Sequence, residues 1–214
     1  WTKAAVDAEA RLAGTGAGGA PLTQGQKKYY GDQVRTLRAF LPKIQDLRVV
    51  LPDVVFSERL ILHEGDREIQ LLHAGPGNTQ GDVAVYLPEE GILAMGDMLV
   101  HPVPFAYGSS MREWVSSLKH YRDMKPAIIL PGHGPVMRDM TFLSTVIDLF
   151  GSLVTQVDDA VKRGLSLDET KNAIDLKAFR AQLAGDDPVR SGVFGDSILR
   201  SAVELAYNAA KGTK

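Results

Sequence analysis

The chain has 214 residues, a formal net charge of −2, and 44% hydrophobic and 23% charged residues, which is typical of a globular protein with a hydrophobic core. The sequence has no basic stripe that would indicate nucleic acid as a partner, and no uninterrupted apolar run of the ~18 residues that a membrane helix requires. It contains no cysteine, which excludes disulfides, cysteine nucleophiles and thiolate zinc sites but does not fix the cellular compartment.

The first residue bears on localisation. Translation begins with Met, and the bulky Trp1 is a poor position for the simple removal of an initiating Met. We therefore expect the chain to be trimmed or processed, in which case an upstream signal peptide would not be visible. The sequence leaves the localisation, cytoplasmic or periplasmic, open.

Two helices are predicted near the amino terminus. Alanines and mixed charges from Thr2 to Leu12 predict the first, which is followed by a flexible connector from Gly14 to Pro21. Thr23 can cap the second helix, whose apolar residues recur at helical spacing. Pro42 ends that helix or begins its last turn.

From Val54 onwards the pattern changes to short apolar runs that are separated by turns. These runs predict four strands, the first two forming a hairpin: Arg59 to His63, Glu68 to His73, Val83 to Leu87, and Ile92 to Met95. Strands in such quick succession predict an antiparallel or mixed sheet. Because the runs are continuously apolar, we expect both faces of the sheet to be covered.

The rest of the chain is predicted to add one helix and one strand and then to be helical. The predicted elements are a helix from Met111 to Tyr121, a buried strand from Ala127 to Leu130, a long helix from Asp139 or Thr141 to about Arg163, a helix that begins with a capping box of Ser166 and Glu169, and a last helix after Asp187-Pro188 through Ala210. This order of elements predicts an α/β fold.

Three of the apolar strands run directly into a polar residue of the type that binds metals: His73, Asp97 and His133. A single His at a strand end is more often structural, and Gly-Asp is most often a turn. The three loops together favour a site, because strand ends on one side of a sheet meet at one edge and the neighbouring glycines permit a close approach. Imidazole and carboxylate suit zinc, and also iron or manganese.

These motifs resemble the second half of the metallo-β-lactamase-fold hydrolases. The stretch from Gly75 to Pro88, then Gly96-Asp97, then the loop from Pro131 to Pro135 follow the family's order, and the intervals of 19 residues from Asn78 to Asp97 and 36 from Asp97 to His133 are similar to those of the family. The Gly-Asn-Thr sequence at 77–79 and the stretch 98–105 resemble a subgroup of it. The resemblance covers residues 58–136 closely.

The resemblance implies an αβ/βα sandwich with a metal site at one edge, between two sheets. This chain would hold the C-terminal portion of that sandwich with extra C-terminal helices. The implied domains are an incomplete metallo-β-lactamase-like domain over residues 1–138, made of the N-terminal helices and the sheet, and a C-terminal helical extension over residues 139–214 that packs on it.

The resemblance also implies roles for two residues. Asp97 would be the catalytic carboxylate, which binds or bridges the second metal and orients the water, and His133 would be the last His ligand. The implied cofactor of the parent protein is zinc, or another divalent metal. A two-metal site of this type holds its ions ~3.5–4 Å apart and lowers the pKa of a bound water.

Two departures from the family bear on the metal. The family's His-x-His-x-Asp-His, which supplies four ligands, has no counterpart in residues 1–72, where His63 is the only histidine. The family's Pro-Gly-His-Thr is replaced by Pro-Gly-Asn78-Thr, and an amide is a weak zinc ligand. His73 could supply the missing ligand, with a structural role at the strand end as the alternative. We therefore expect incomplete or substoichiometric zinc in this chain alone.

Two further residues are candidates for substrate binding. Asn78 lies in the glycine-rich loop, and His101 follows Asp97 by four residues, which predicts a position beside the mouth of the site. For His101 the alternative is simple packing against Pro102 and Pro104.

Several neighbours are predicted to be structural. Thr79 and Asp82 are expected to pin the glycine-rich loop through hydrogen bonds to nearby backbone amides. Trp114 and Tyr121, seven residues apart, are predicted to face the core. Asp187, next to Asp186, is expected to cap the last helix.

The sequence leaves two hypotheses for function. In the first, the chain is a fragment of a metallo-β-lactamase-like hydrolase, in which metal-bound hydroxide attacks an ester, amide, thioester or phosphoester of a small-molecule substrate, and which is inactive alone because ligands are missing. In the second, it is a non-catalytic binding or assembly module on a degenerate scaffold. Half a sandwich would expose the apolar inner face of its sheet. That face predicts a homodimer, a rearrangement of the N-terminal helices over it, or association with a missing N-terminal segment.

Overall fold

The computed structural model describes residues 2–14, 21–48, 50–106 and 108–212. Most of the connector predicted from Gly14 to Pro21 therefore lies outside the described residues. Contacts divide the chain into two compact units, one of residues 1–55 with 186–192 and one of residues 56–185 with 193–214. The division that the resemblance implies after residue 138 stays a prediction. Within the described ranges, no helix has both the length and the apolar character needed to cross a membrane.

The smaller unit contains the two predicted N-terminal helices, α1 (Thr2–Ala13) and α2 (Gln24–Phe40). Helix α2 begins with a capping box: the Thr23 Oγ1 accepts the Gln26 N–H at 3.2 Å, and the Gln26 side-chain oxygen accepts the Thr23 N–H at 3.0 Å. These bonds satisfy two of the donors that a helix start leaves open. A 3₁₀ turn, Leu41–Ile44, contains Pro42 and ends the helix.

The larger unit is built on a mixed sheet of five strands in the order β1-β2-β3-β4-β5. The strands are β1 (Arg59–Glu64), β2 (Arg67–Leu72), β3 (Ala84–Leu87), β4 (Ile92–Val100) and β5 (Ile128–His133). The first three pairs are antiparallel, and β4 pairs with β5 in parallel through the crossover helix α3 (Met111–Asp123). The α/β class and the strands predicted by the apolar runs are confirmed.

Strand β4 is longer than the sequence pattern predicts. It was expected to end at Met95, whereas it continues to Val100, so that Asp97 lies within the strand and not in a loop after it. The pairing with β5 shifts register on both sides of Gly96, which has a φ of +53°. A bulge of this kind re-aims the side chains that follow it, and glycine adopts its left-handed backbone without strain.

The C-terminal part of the chain is helical, as predicted. It contains α4 (Thr141–Lys162), α5 (Leu167–Ala173), α6 (Lys177–Leu183), α7 (Pro188–Phe194), a π-helical segment (Gly195–Ala202) and α8 (Val203–Lys211). Ser166 and Glu169 form the predicted capping box of α5. Asp187 caps α7, because its Oδ1 accepts the N–H groups of Val189 and Arg190.

The helices cover one face of the sheet. Leu93 of β4 and Ile129 of β5 are fully buried on that face, and they belong to the same core as Trp114 of α3 and Phe150 of α4, whose rings lie 4.8 Å apart. Helix α4 packs against both α3 and α8. Trp114 and Tyr121 therefore face the core, as their spacing predicts.

The other face of the sheet is also apolar, but it lies outside this core. Its side chains share register rows across all five strands, and they are only half-buried, or exposed in the case of Leu62. They are Leu60, Leu62, Ile69, Leu71, Val85, Leu87, Ile92, Ala94, Ile128 and Leu130. We name this surface the open face. The continuous apolar runs predicted two covered faces, and within the larger unit the helices cover only one.

Candidate metal centre

The parallel strands β4 and β5 bring Asp97 and His133 together. Gly96 lies beside Pro131 and Val100 beside His133 in the register of this pair. The His133 Nε2 is 3.5 Å from the Asp97 Oδ1, and both side chains are more than half exposed. The two residues are 36 positions apart in sequence, and the sheet places them at one edge, where α/β sheets usually bind their ligands.

Two glycines next to His133, Gly132 within β5 and Gly134 in the loop after it, are required by this arrangement. A Cβ on Gly132 would overlap the Asp97 Oδ1, and a Cβ on Gly134 would lie 2.7 Å from the His101 Cβ. Gly134 also has a φ of +107°, which other residues rarely adopt. The glycines around His133 therefore permit the close approach that the sequence pattern predicts.

His101 lies beside the loop of His133. Its backbone N–H donates to the His133 carbonyl at 3.1 Å, and its ring makes an edge contact with Phe142 at a centroid distance of 4.7 Å. His101 is therefore next to His133, and its position at the mouth of a site stays a prediction. A substrate contact by this residue stays a prediction.

The glycine-rich loop between β2 and β3 is pinned as predicted. The Asp82 carboxylate accepts the Thr79 N–H at 2.8 Å and the Thr79 hydroxyl at 3.0 Å. Gly77 packs directly on Met98, where a side chain would overlap. Asn78 is only 5% exposed, so a substrate would have limited access to its side chain. Its substrate-binding role stays a prediction.

His73 is held at the start of this loop. Its Nδ1 lies 2.9 Å from the Asp82 carbonyl, and its backbone N–H donates to the Glu58 carbonyl at 2.8 Å. Since a carbonyl only accepts, the Nδ1 carries the proton, which leaves the Nε2 as the lone-pair nitrogen of the neutral ring. No three His, Asp or Glu side chains of the described ranges gather into a group that could hold a metal. His73 thus does not join Asp97 and His133 in such a group, and its ligand role stays a prediction.

Polar side chains on the buried face of helix α3 form hydrogen bonds with the backbone of β2, of β4 and of the start of the glycine-rich loop. The Tyr121 hydroxyl donates to the Leu72 carbonyl at 2.9 Å and accepts the Ala74 N–H at 3.2 Å, one residue on each side of His73. Burial in the core raises the pKa of Tyr121. The Trp114 Nε1 donates to the Met98 carbonyl, next to Asp97, at 3.2 Å.

Ser117 was missed by the sequence reasoning. Its buried hydroxyl lies 2.8 Å from the Pro76 carbonyl and 3.3 Å from the Ala74 carbonyl, and a Cβ on Gly75 would approach it to 3.0 Å. The available signal was its spacing, since it lies three residues after Trp114 and four before Tyr121. A polar residue between two core positions of a helix requires a buried partner.

A comparison with protein families is consistent with this geometry. Residues 10–133 match the family model of the metallo-beta-lactamase superfamily. The chain belongs to this superfamily. The Gly-Asn-Thr subgroup within it stays a resemblance.

The chain is also similar to several solved structures. The chain is similar to the stereoselective inverting sec-alkylsulfatase Pisa1 from Pseudomonas sp., with 15% identity and a TM-score of 0.56, over 75% of this chain and 27% of that one. A metallo-beta-lactamase family protein from Thermus thermophilus matches with 18% identity and a TM-score of 0.49, over 83% of this chain and 59% of that one. A metallo-beta-lactamase from Pontibacter korlensis matches with 21% identity and a TM-score of 0.41, over 59% of this chain and 65% of that one.

The chain therefore spans about a quarter of the alkylsulfatase and less than two thirds of the other two proteins. At 15% identity the likeness to the alkylsulfatase shows the fold alone. The activity of a whole metallo-beta-lactamase superfamily protein is accordingly a proposal for this chain.

The pair fits zinc, the metal that members of the metallo-beta-lactamase superfamily typically bind. Zinc takes imidazole nitrogen and carboxylate oxygen at about 2.0–2.2 Å, and a tetrahedral angle then places the two ligand atoms about 3.4 Å apart. The His133 Nε2 and the Asp97 Oδ1 lie 3.5 Å apart without a metal between them. Their separation already matches one edge of such a tetrahedron.

Proposed function

We propose that this chain is part of a metal-dependent hydrolase of the metallo-beta-lactamase superfamily, in which Asp97 and His133 supply two of the zinc donors. The observation that supports this most directly is the 3.5 Å separation of the His133 Nε2 and the Asp97 Oδ1. A carboxylate and an imidazole at this spacing, both open to solvent, can bind one divalent cation between them.

Zinc, when bound, lowers the pKa of a water molecule so that it can attack an ester, amide or related bond at neutral pH. The residues of this chain would position the metal donors and the strands that carry them. Asp97 would supply a carboxylate that binds the metal and orients the water, and His133 would supply an imidazole donor beside it. Helix α3 fixes the strand of Asp97 through the bond from the Trp114 Nε1 to the Met98 carbonyl.

The donor set of this chain is incomplete for catalysis. A catalytic zinc has three protein ligands and a water, and the described residues bring together only Asp97 and His133. We therefore propose that the remaining donors come from a segment with the family's His-x-His-x-Asp-His, and that this chain alone binds zinc weakly and has little activity. The coding sequence immediately upstream of Trp1 is the most informative place to look for that motif.

The test is zinc binding by the chain and by single variants, measured with a competing chromophoric chelator. We expect substoichiometric zinc in the parent chain after dialysis. Asp97→Ala and His133→Ala should each lower the zinc affinity about tenfold or more, because substitution even of residues that only hydrogen-bond to metal ligands typically lowers metal affinity by about that factor. His63→Ala is the matched control, since His63 is exposed on β1.

Two results would contradict this assignment. The first is an equal loss of zinc affinity in His63→Ala and His133→Ala. The second is full zinc occupancy that survives both Asp97→Ala and His133→Ala, which would place the donors elsewhere in the chain.

The second candidate is a non-catalytic binding or assembly module, and the open face is the observation that favours it. Its apolar side chains lie outside the core of the larger unit on all five strands. Monomeric proteins rarely leave such a surface in contact with water. Zinc affinity that stays low after a segment with the His-x-His-x-Asp-His is added to the chain would favour this module over the hydrolase.

A further inference from the structure

Two serines of the C-terminal π-helical segment bind the backbone of the loop that follows β4. The Ser197 hydroxyl donates to the Pro104 carbonyl at 3.0 Å and accepts the Ala106 N–H at 2.7 Å. The Ser201 hydroxyl donates to the Ala106 carbonyl at 3.0 Å. The three bonds join residues that are 91 to 95 positions apart in sequence.

The environment of Ser197 is unusual for a serine inside a helix. Such a serine commonly points to solvent or bonds to a carbonyl of the preceding turn. Ser197 is instead only 3% exposed, and the two hydrogen bonds of its hydroxyl both go to the loop. It also lies in the π-helical stretch Gly195–Ala202, and π-helical stretches are rare in proteins and frequent at functional sites. The segment is therefore a candidate for a role beyond the packing of the helix.

The same loop contacts the candidate metal centre at its other end. The His101 N–H donates to the His133 carbonyl at 3.1 Å, and a Cβ on Gly134 would lie 2.7 Å from the His101 Cβ. The His101 ring also makes an edge contact with Phe142 at a centroid distance of 4.7 Å. The loop is thus held against His133 at its first residue and against the π-helical segment a few residues later.

The connection between these two contacts is short and stiff. Only Pro102 and Val103 separate His101 from Pro104. The ring of each proline fixes its own φ, and Val103 is 4% exposed and belongs to the core. Because few backbone dihedral angles are free between the two contacts, the position of Pro104 constrains the position of His101.

We propose that Ser197 is a positioning residue for the candidate metal centre. By holding the backbone at Pro104 and Ala106, it keeps His101 against His133, and the contact with His101 keeps the His133 imidazole beside the Asp97 carboxylate. Ser197 acts through the loop and not by contact with the metal. The effect on zinc rests on the proposed function, whereas the effect on His101 can be measured without metal.

The first test is hydrogen exchange of the His101 amide in the metal-free chain, followed by NMR. The exchange rate of an amide reports the local opening of its own hydrogen bond. Ser197→Ala should accelerate the exchange about tenfold, because the substitution leaves two buried backbone groups of the loop without a partner. Ser201→Ala removes one bond and should accelerate the exchange about threefold, and it decides the test if Ser197→Ala does not fold.

Tyr207→Phe is the matched control. The Tyr207 hydroxyl of α8 donates to the Leu165 carbonyl at 2.9 Å, so this variant also loses a bond from a C-terminal side chain to a distant backbone carbonyl. It leaves the contacts of Ser197 and His101 intact. The exchange of the His101 amide should therefore be the same in Tyr207→Phe as in the parent chain.

The second test is the zinc affinity of the same variants, measured with the competing chelator. Residues that hydrogen-bond to metal ligands typically contribute about tenfold or more to metal affinity. Ser197 is one step further from the metal, so we expect Ser197→Ala to lower the zinc affinity by a smaller factor, about threefold. Tyr207→Phe should leave the zinc affinity unchanged.

The inference is overturned if the exchange of the His101 amide is unchanged in Ser197→Ala, or if Tyr207→Phe accelerates it equally. It is also overturned if Asp97→Ala and His133→Ala lower the zinc affinity and Ser197→Ala does not, in which case the zinc site stands without this positioning residue. Accelerated exchange in Ser197→Ala together with zinc affinity that responds to none of the three substitutions would refute the hydrolase, and Ser197 would remain the residue that holds His101 against His133.

Discussion

Tyr121 shows how one residue connects the core to the backbone around His73. Its ring is fully buried against the sheet, and its hydroxyl bridges the Leu72 carbonyl and the Ala74 N–H, which flank His73. The spacing from Trp114 predicted the burial of the ring, because both residues lie on one helix face. The partners of the hydroxyl could not be predicted, since they lie 47 and 49 residues away in sequence.

Tyr121→Phe should destabilise the chain by about 1–3 kcal/mol, because it leaves two backbone groups short of a partner in a low-dielectric environment. Urea unfolding measures the change. Tyr86→Phe is the control, since the Tyr86 hydroxyl makes no hydrogen bond to a described residue, and it should cost less than about 0.5 kcal/mol. Equal effects of the two substitutions would show that the bridge contributes nothing.

Tyr121→Phe should also change how the free energy of unfolding depends on pH. Burial raises the pKa of Tyr121 in the folded chain above its unfolded value, so the fold favours the neutral phenol. The stabilisation is fully present below the unfolded pKa of about 10 and is lost as the pH rises through the folded pKa. The free energy of unfolding of the parent chain should therefore fall more steeply above pH ~10 than that of Tyr121→Phe.

Among the secondary-structure elements, helix starts were the features that local sequence predicted best. Thr23 with Gln26 and Ser166 with Glu169 form the capping boxes of α2 and α5, because a cap depends only on residues three positions apart. The strand limits were predicted less well. Strand β4 passes Met95 and includes Asp97, since its continuation depends on pairing with β5 and not on its own residues.

The capping box of α5 predicts a pH effect in acid. The Ser166 N–H and hydroxyl donate to the Glu169 carboxylate at 2.8 and 2.7 Å, and these bonds hold the pKa of Glu169 below its usual value. The stabilisation is therefore present above the unfolded pKa of about 4.3 and is lost as the pH falls through the folded pKa.

Glu169→Gln should accordingly lower the melting temperature at pH 7 and lose that difference as the pH falls towards 3. Thermal unfolding across this pH range measures it. Asp168→Asn is the control, because the Asp168 side chain makes no hydrogen bond to a described residue although it lies in the same helical turn. A constant difference between Glu169→Gln and the parent at all pH values would contradict the assignment.

At the scale of the whole molecule, the open face predicts self-association. Val85 lies near its centre, in one register row with Leu71 and Ala94. A second copy that covers this face would remove the apolar surface from water, and a charge placed there would be buried without a partner. The homodimer itself stays a prediction.

We expect the chain to sediment as a dimer at high micromolar concentration and Val85→Glu to sediment as a monomer. Analytical ultracentrifugation measures both. Val6→Glu, at an exposed position of α1, is the control and should leave the dimer intact. A parent chain that stays monomeric at these concentrations would contradict the prediction.

The sequence by itself determined the α/β class, the positions of most helices and strands, and the choice of Asp97 and His133, each next to a glycine, as candidate site residues. These features depend on local periodicity, on caps and on the backbone freedom of glycine, all of which operate within a few residues. Only the tertiary structure decided that the Asp97 Oδ1 and the His133 Nε2 lie 3.5 Å apart, that His73 does not join them in one group, and that the helices cover one face of the sheet. The reason is that parallel pairing of β4 with β5 joins residues 36 positions apart in sequence, which no pattern within a few residues can specify.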